Sequence, residues 1–284
     1  MPPRLAYSVS EEKEQKKPRL VEVLGPYGLI EATHQGCPAG ALQAARVDLA
    51  ACYRLLDQLG LNEGVDNHLT VMVPGTTDRF LCIAYGVLWS EVTASNLLLL
   101  DQDGAVLEGS GSPDPTAFYI HSRIHAAHPH ATCVLHTHMP YATALTCLEE
   151  MELKMIHQNS CRFYDEIAYD YTYNGLVLGD KEGDRLADVM KDKRVLMHQN
   201  HGVITVGEDV ATAFDELYYL ERAALVQVLA MSTGKPMKLI QHDVVTNYKD
   251  QVSQFRGVWA AKHFEARKRC LFKPTGLGHA DFSS

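Results

Sequence analysis

Fourteen histidines occur in 284 residues, and their placement is the first chemical clue. In VLHTHMP, His136 and His138 stand two apart at the end of an apolar run. If the run is a strand, alternation turns both imidazoles to one face, close enough to grip one ion. Neutral imidazole is the commonest nitrogen ligand of first-row divalent metals. The competing reading is a pair of hydrogen-bonded histidines at a strand end. In MHQNHGVITVG, His201 precedes Gly202 in a turn between two apolar runs, placed to reach the same cleft as a third ligand. Three protein nitrogens with positions left open for water or substrate make a catalytic metal site rather than a closed structural one. His198 reads as a partly exposed strand residue. His121 and His125 share a helix face at i, i+4, as a ligand pair or as a packing face. His157 opens QNSCRFYDEIAYDY, a segment too polar for core that is either a surface loop or a wall of the cleft.

The elements that must position these residues are legible in the hydrophobic periodicity. ALQAARVDLAACYRLLDQLGL has helical spacing and stops at Gly60. HLTVMVPG and RFLCIAYG are short strands joined by the turn PGTTDR, and SNLLLLDQDGAVLEG is a strand, a turn and a second strand. TAFYIHSRIHAAH is a helix with Asp114 as N-cap before Pro115. TCVLHTH is a buried strand, PYATALTCLE a short helix, and RVLMHQNHGVITVG two strands around a turn. DVATAFDELYYLERAALVQVLAMSTG is the longest helix, capped by Asp209 and stopped at Gly234, and VSQFRGVWAAKHFEARKR is helical again. Strands come in hairpin-like pairs, so a mixed or mainly antiparallel sheet covered by helices fits better than a parallel doubly wound one.

Composition narrows the class. At 46% hydrophobic and 21% charged residues the chain is globular, and no apolar run is long enough to span a membrane. The net charge of −9 gives it little electrostatic reason to bind nucleic acid. The locally basic AKHFEARKRCLFK reads as a solvated helix face. Seven cysteines, scattered and without a CxxC pair, suit reduced core thiols and a cytoplasmic address. The expected organisation is a mobile leader or oligomer arm over 1–40, one domain over 41–240, and a helical extension with a tail over 241–284.

VLHTHMPYATAL followed by NHGVITVGEDVATAFDELYYLERAALVQVLA resembles the class II aldolase/adducin superfamily. NHLTVMVPG, YGVLWSEVTASNLLLLDQDG and AFYIHSRIHAAHPHATCVLHTH extend the resemblance from about Ala41 to Lys238. It implies an α/β fold, a three-layer αβα domain with a mainly antiparallel central sheet. It also implies a divalent ion held by His136, His138 and His201: zinc first, with manganese, cobalt or iron as alternatives. Enzymes of the family are commonly homotetramers acting on small molecules, and their sugar-phosphate aldolases cleave a carbon–carbon bond while the metal stabilises an enediolate.

The departures from that pattern are specific. Where those aldolases carry a catalytic acid, this chain has Ala117; their serine phosphate ligands become Pro115 and Thr116. Their Thr-Gly turn becomes Tyr85-Gly86, their Gly-Asn becomes Asp66-Asn67, and a proton-donating tyrosine becomes Gln158. Asn67, Tyr85 and Gly86 remain the substrate-binding positions, and Tyr85, Trp89, Tyr119 and Tyr164 supply an aromatic wall or packing. With Ala117 unable to move a proton, His121, Tyr164 and Glu91 are the candidates for that work, alongside metal-bound water. The expected function is a metal-dependent lyase that cleaves an unphosphorylated oxo- or hydroxy-acid by aldol or decarboxylation chemistry. The alternatives are an adducin-head-like interaction protein without catalysis and a non-haem Fe(II) oxygenase on the same histidines.

Overall fold

Leu69 and Val71 of one strand and Cys133 and Leu135 of its neighbour pack to one side of a central sheet, while Val134, Ile204 and Val206 pack to the other. That alternation builds the layers. The computed structural model describes residues 39–271 and 282–283. The leader expected over 1–40, apart from its last two residues, and Cys37 lie outside the described residues.

Eight strands form the sheet: β1 (His68–Met72), β2 (Arg79–Cys82), β3 (Leu98–Asp101), β4 (Val106–Glu108), β5 (Cys133–Thr137), β6 (Ile167–Asp170), β7 (Val195–His198) and β8 (Val203–Gly207). Their order is β4-β3-β2-β1-β5-β8-β7-β6. All neighbours are antiparallel except β6 and β7, which run parallel. One face is covered by α1 (Ala39–Gln58), α3 (Pro140–Thr146), α5 (Val210–Met231) and α7 (Arg256–Leu271), through Leu49, Tyr53, Leu145, Phe214, Leu217 and Phe264. The opposite face is covered by α2 (Pro115–Ala127) and α4 (Asp180–Met190), through Ile120, Ile124, Leu186 and Met190. The three-layer αβα arrangement with a mostly antiparallel sheet is therefore as expected.

Two elements were not read from the sequence. The polar QNSCRFYDEIAYDY contributes a 3-10 turn at Ser160–Phe163 and the edge strand β6, with Cys161 and Phe163 buried. It is neither a surface loop nor excluded from the core. Helix α4 follows as the crossover that a parallel β6–β7 pair requires.

Caps explain the helix starts nearest the site. Asp114 Oδ1 accepts from the N–H groups of Thr116 and Ala117 at 2.6 and 3.2 Å, with Pro115 as the first helical residue of α2. Asp209 accepts from Thr212 N–H at 2.7 Å to start α5.

Beyond α5 come α6 (His242–Ser253) and α7. The basic segment of α7 is a solvated face only in part: Lys262 and Arg269 are exposed, but Arg267 and Lys268 are engaged. Lys268 pairs with Asp48 of α1 at 2.8 Å and Arg267 donates to the Tyr218 hydroxyl at 3.0 Å, because this helix lies against α1 and α5. Cys52, Cys82, Cys133 and Cys161 are buried free thiols, whereas Cys147 and Cys270 are exposed. Among the described residues no helix is long and apolar enough to cross a membrane.

Candidate metal centre

Strand register assembles the site. His68 of β1 lies directly opposite His136 of β5, and His136 opposite Ile204 of β8. His138 falls just past the end of β5, and His201 sits in the turn joining β7 to β8. The turn is held by Gly202 C=O accepting from His198 N–H at 3.0 Å and by Asn200 in the left-handed region at φ 56°. Gly202 is required there by close approach: a Cβ would stand 2.7 Å from both His138 Cδ2 and Thr137 O.

These turns bring His136, His138 and His201 together, with one potential ligand atom from each lying within 4.8 Å of the others. Their far ring nitrogens are anchored in two cases. His136 Nδ1–H donates to Val203 O at 3.0 Å, and His138 Nδ1–H donates to the Glu63 carboxylate at 2.6 Å. A proton fixed on Nδ1 leaves Nε2 as a bare lone pair, the arrangement seen when a second shell orients histidine ligands. His138 Nε2 is buried and has no hydrogen-bond partner. Burial, followed by the neighbouring His201, His68 and His138, pushes the His136 pKa well below the usual histidine value. Burial, reinforced by His198, His138 and His68, lowers that of His201 to about 3. Converging imidazoles with one orphaned nitrogen fit a divalent metal ion, and three ligands leave room for a substrate to chelate it.

Behind His136 a chain of side chains runs into the α2 face. His125 Nδ1 meets Ala131 O at 2.6 Å, and Thr70 Oγ1 lies 2.8 Å from His125 Nε2 and 2.6 Å from His121 Nδ1. His121 Nε2 in turn lies 2.7 Å from His68 Nδ1. A carbonyl only accepts, so His125 carries its proton on Nδ1 and accepts from the Thr70 hydroxyl. Thr70 then accepts from His121 Nδ1–H, and His121 Nε2 accepts from His68 Nδ1–H. One carbonyl thus orders every proton in the chain and leaves a lone pair on His68 Nε2, whose ring centroid is 4.9 Å from that of His136. Burial, the first cause in each case, lowers His68 and His125 to about 4 and His121 well below its usual value.

The other expected site residues separate into groups. Asn67 is at the cluster: its Oδ1 accepts from His138 N–H at 3.2 Å, while its Nδ2 is buried without a partner. Trp89 is core, fully buried and donating to Asn67 O at 3.2 Å, which pins that loop. His121 is fully buried with both ring nitrogens engaged. Tyr164 pairs instead with His242 at 2.8 Å, in a groove lined by Leu153, Met155 and Ile240. Glu91 accepts from Leu88 N–H at 3.0 Å at an exposed 3-10 turn. Tyr85 is exposed, and Gly86 adopts φ 89° in the turn beyond β2.

Sequence reasoning missed one group beside the three candidate ligands. His198 is buried at 3% exposure, not partly exposed. Its Nδ1 lies 3.2 Å from Asp170, which Arg185 grips with two bonds of 2.9 and 2.7 Å. Its ring centroid stands 5.0 Å from that of His201, and Tyr173 lies 5.7 and 5.9 Å from the two rings. The sequence signal was the HxxH spacing in MHQNH, but its partner Asp170 is supplied by the parallel register, which sets it beside His198.

The family description that matches residues 47–228 is the class II aldolase and adducin N-terminal domain. A Caulobacter vibrioides protein named a candidate class 2 aldolase is 35% identical over 69% of this chain and 76% of its own length. Among solved structures, an aldolase II superfamily protein from Pseudomonas syringae superposes with a TM-score of 0.80 at 31% identity, covering 87% of this chain and 98% of that one. An L-fuculose 1-phosphate aldolase from Glaciozyma antarctica superposes with a TM-score of 0.74 at 25% identity, over 84% and 94% of the two chains.

Proposed function

Because this chain belongs to the class II aldolase and adducin family, we propose that it is a metal-dependent carbon–carbon lyase acting on an unphosphorylated oxo- or hydroxy-acid. The observation that carries the reading is the convergence of His136, His138 and His201, with the outer nitrogens of His136 and His138 anchored and His138 Nε2 left open. A divalent ion there, zinc before manganese, cobalt or iron, supplies Lewis-acid stabilisation of the charge that develops when a bond next to a carbonyl breaks. Homo-oligomerisation as a tetramer, a cytoplasmic address and a catalytic domain over 41–240 extended by 241–284 belong to the same proposal.

The chain's own residues account for the rest. Asn67 is held by its Oδ1, so its Nδ2 is aimed as a donor toward a substrate oxygen next to His138. His68 Nε2 is a proton acceptor beside His136, oriented by His121, which acts as a positioning residue because both its nitrogens are occupied. Support for an unphosphorylated substrate comes from the start of α2. Helix N-termini bind phosphate through free N–H groups, but Pro115 has none to give, and those of Thr116 and Ala117 already serve the Asp114 carboxylate.

The test is elemental analysis of purified protein with the His136→Ala and His201→Ala variants. About one Zn, Mn, Co or Fe per chain is expected in the parent and at least a hundredfold weaker binding in each variant, with circular dichroism unchanged. A parent that also refuses added Zn and Mn would instead favour an interaction module of the adducin kind.

A further inference from the structure

His198 has a nitrogen without a hydrogen-bond partner among the described residues. Its Nδ1 faces the Asp170 carboxylate, which Arg185 holds by two bonds, so the proton of the neutral ring sits on Nδ1. Nε2 is then an acceptor only, and it is buried without a hydrogen-bond partner. The ring packs edge-on to the metal ligand His201, and half-exposed Tyr173 lies against both. Tyr173 belongs to a segment whose Leu176 and Leu178 are also exposed, so its ring can swing outward without unpacking the core.

We propose that His198 is a substrate-binding residue: its Nε2 accepts a hydrogen bond from a hydroxyl of the metal-chelated substrate, with Asp170 and Arg185 fixing the tautomer that makes this possible. The inference rests on the metal-dependent reading above and sharpens it. The preferred substrate class is a hydroxylated acid, with the hydroxyl beside the chelating oxygens, over its deoxy counterpart. Asn67 Nδ2 donates and His198 Nε2 accepts, so the two orphaned atoms distinguish a carbonyl or carboxylate oxygen from a hydroxyl.

The experiment uses the Co(II)-loaded full chain and two probes that differ by one hydroxyl, glycolohydroxamate and acetohydroxamate, followed by the visible Co(II) spectrum. The expected result is glycolohydroxamate binding at least about tenfold more tightly, a difference of about 1.4 kcal/mol. In His198→Phe the preference falls to about one, while acetohydroxamate affinity stays within about twofold. Asp170→Asn keeps the packing but offers an N–H to His198 Nδ1, moving the ring proton to Nε2. It is expected to abolish the preference with Co(II) still bound, and histidine 15N shifts of the metal-free protein report the tautomer change directly. Equal binding of both probes by the parent overturns the role of His198 and leaves the metal reading standing, as does a preference that survives in both variants. Failure of both probes to perturb the Co(II) spectrum overturns both readings.

Discussion

Buried polar side chains follow different rules in two parts of this molecule. Between α5, α7 and the Ser160–Phe163 turn, charges are matched with charges. Arg162 pairs with Asp215 and stacks 4.1 Å over the Tyr219 ring, His263 reaches Asp215 at 2.7 Å, and Arg256 reaches Glu216 at 2.8 Å. At the strand ends around His136 the groups are imidazoles and uncharged polar side chains, and four atoms (His138 Nε2, His198 Nε2, Asn67 Nδ2 and Thr137 Oγ1) have no hydrogen-bond partner among the described residues. In the first region Arg162 Nε, on the guanidinium stacked over the tyrosine, is the corresponding exception. An unpaired buried polar atom costs roughly 1–3 kcal/mol. A fold that concentrates several in one place reserves them for something outside the chain. A fold that matches its buried ions is fastening elements together, here α5 to the C-terminal helices and the turn before β6.

The largest expected effect comes from breaking a matched pair. Arg162→Met leaves Asp215 buried beside His263 with less positive charge, and should cost about 3–5 kcal/mol in urea unfolding. Metal stoichiometry should not change. A variant that unfolds no earlier, or that loses its metal in step with its stability, would erase the distinction between the two regions.

Acid probes the other region. The pKa values of His68 and His125, at about 4, lie below the unfolded histidine value near 6.5. The unfolded chain therefore binds more protons between those limits, so stability is complete above about pH 6.5 and is lost as pH falls toward 4. For metal-free protein the loss between pH 7 and pH 5 should be about 1–2 kcal/mol per histidine. His125→Gln should remove one histidine's share of the pH dependence. A flat urea midpoint over this range would mean that the chain ordered by Ala131 O does not hold its rings neutral.

The smallest effect sharpens the comparison at its edge. Glu63 is well exposed, yet it anchors His138 Nδ1. Glu63→Gln should weaken metal binding by about tenfold, as loss of an outer-shell partner does. Stability of the metal-free protein should move by less than about 0.5 kcal/mol, since exposed ion pairs contribute little. Metal affinity equal to the parent's would remove Glu63 from the site.

Much of this was legible without coordinates because it is local. HxH at the end of an apolar run, HG in a tight turn, Asp114 before Pro115 and Asp209 before an amphipathic run are short-range signals, and the strands and helices they mark lie where the spacing puts them. What escaped was the pair of elements before β7, the strand β6 and the helix α4. Strand Ile167–Asp170 is only half buried along its length, and α4 turns just a few apolar residues, Leu186, Ala187 and Met190 among them, toward the sheet. β6 is too short and too polar to stand out, and α4, although amphipathic, is so polar overall that its narrow apolar stripe is hidden among charged residues. The exposure inferred for His198 failed for the same reason: the residues that cover and pair it, Asp170, Tyr173 and Arg185, come from that unrecognised unit.

The sequence by itself marked His136, His138 and His201 as candidate ligands, the turn between β7 and β8 and, through the family resemblance, the alanine at position 117, since each stands in a short motif. Only the tertiary structure decided which buried nitrogens are engaged and which are free. Asp170 meets His198 through a parallel register that α4 must close, and His68 meets His136 across two strands separated by β2, β3, β4 and α2. Such pairings are fixed by long-range packing of whole faces, and no local spacing encodes them.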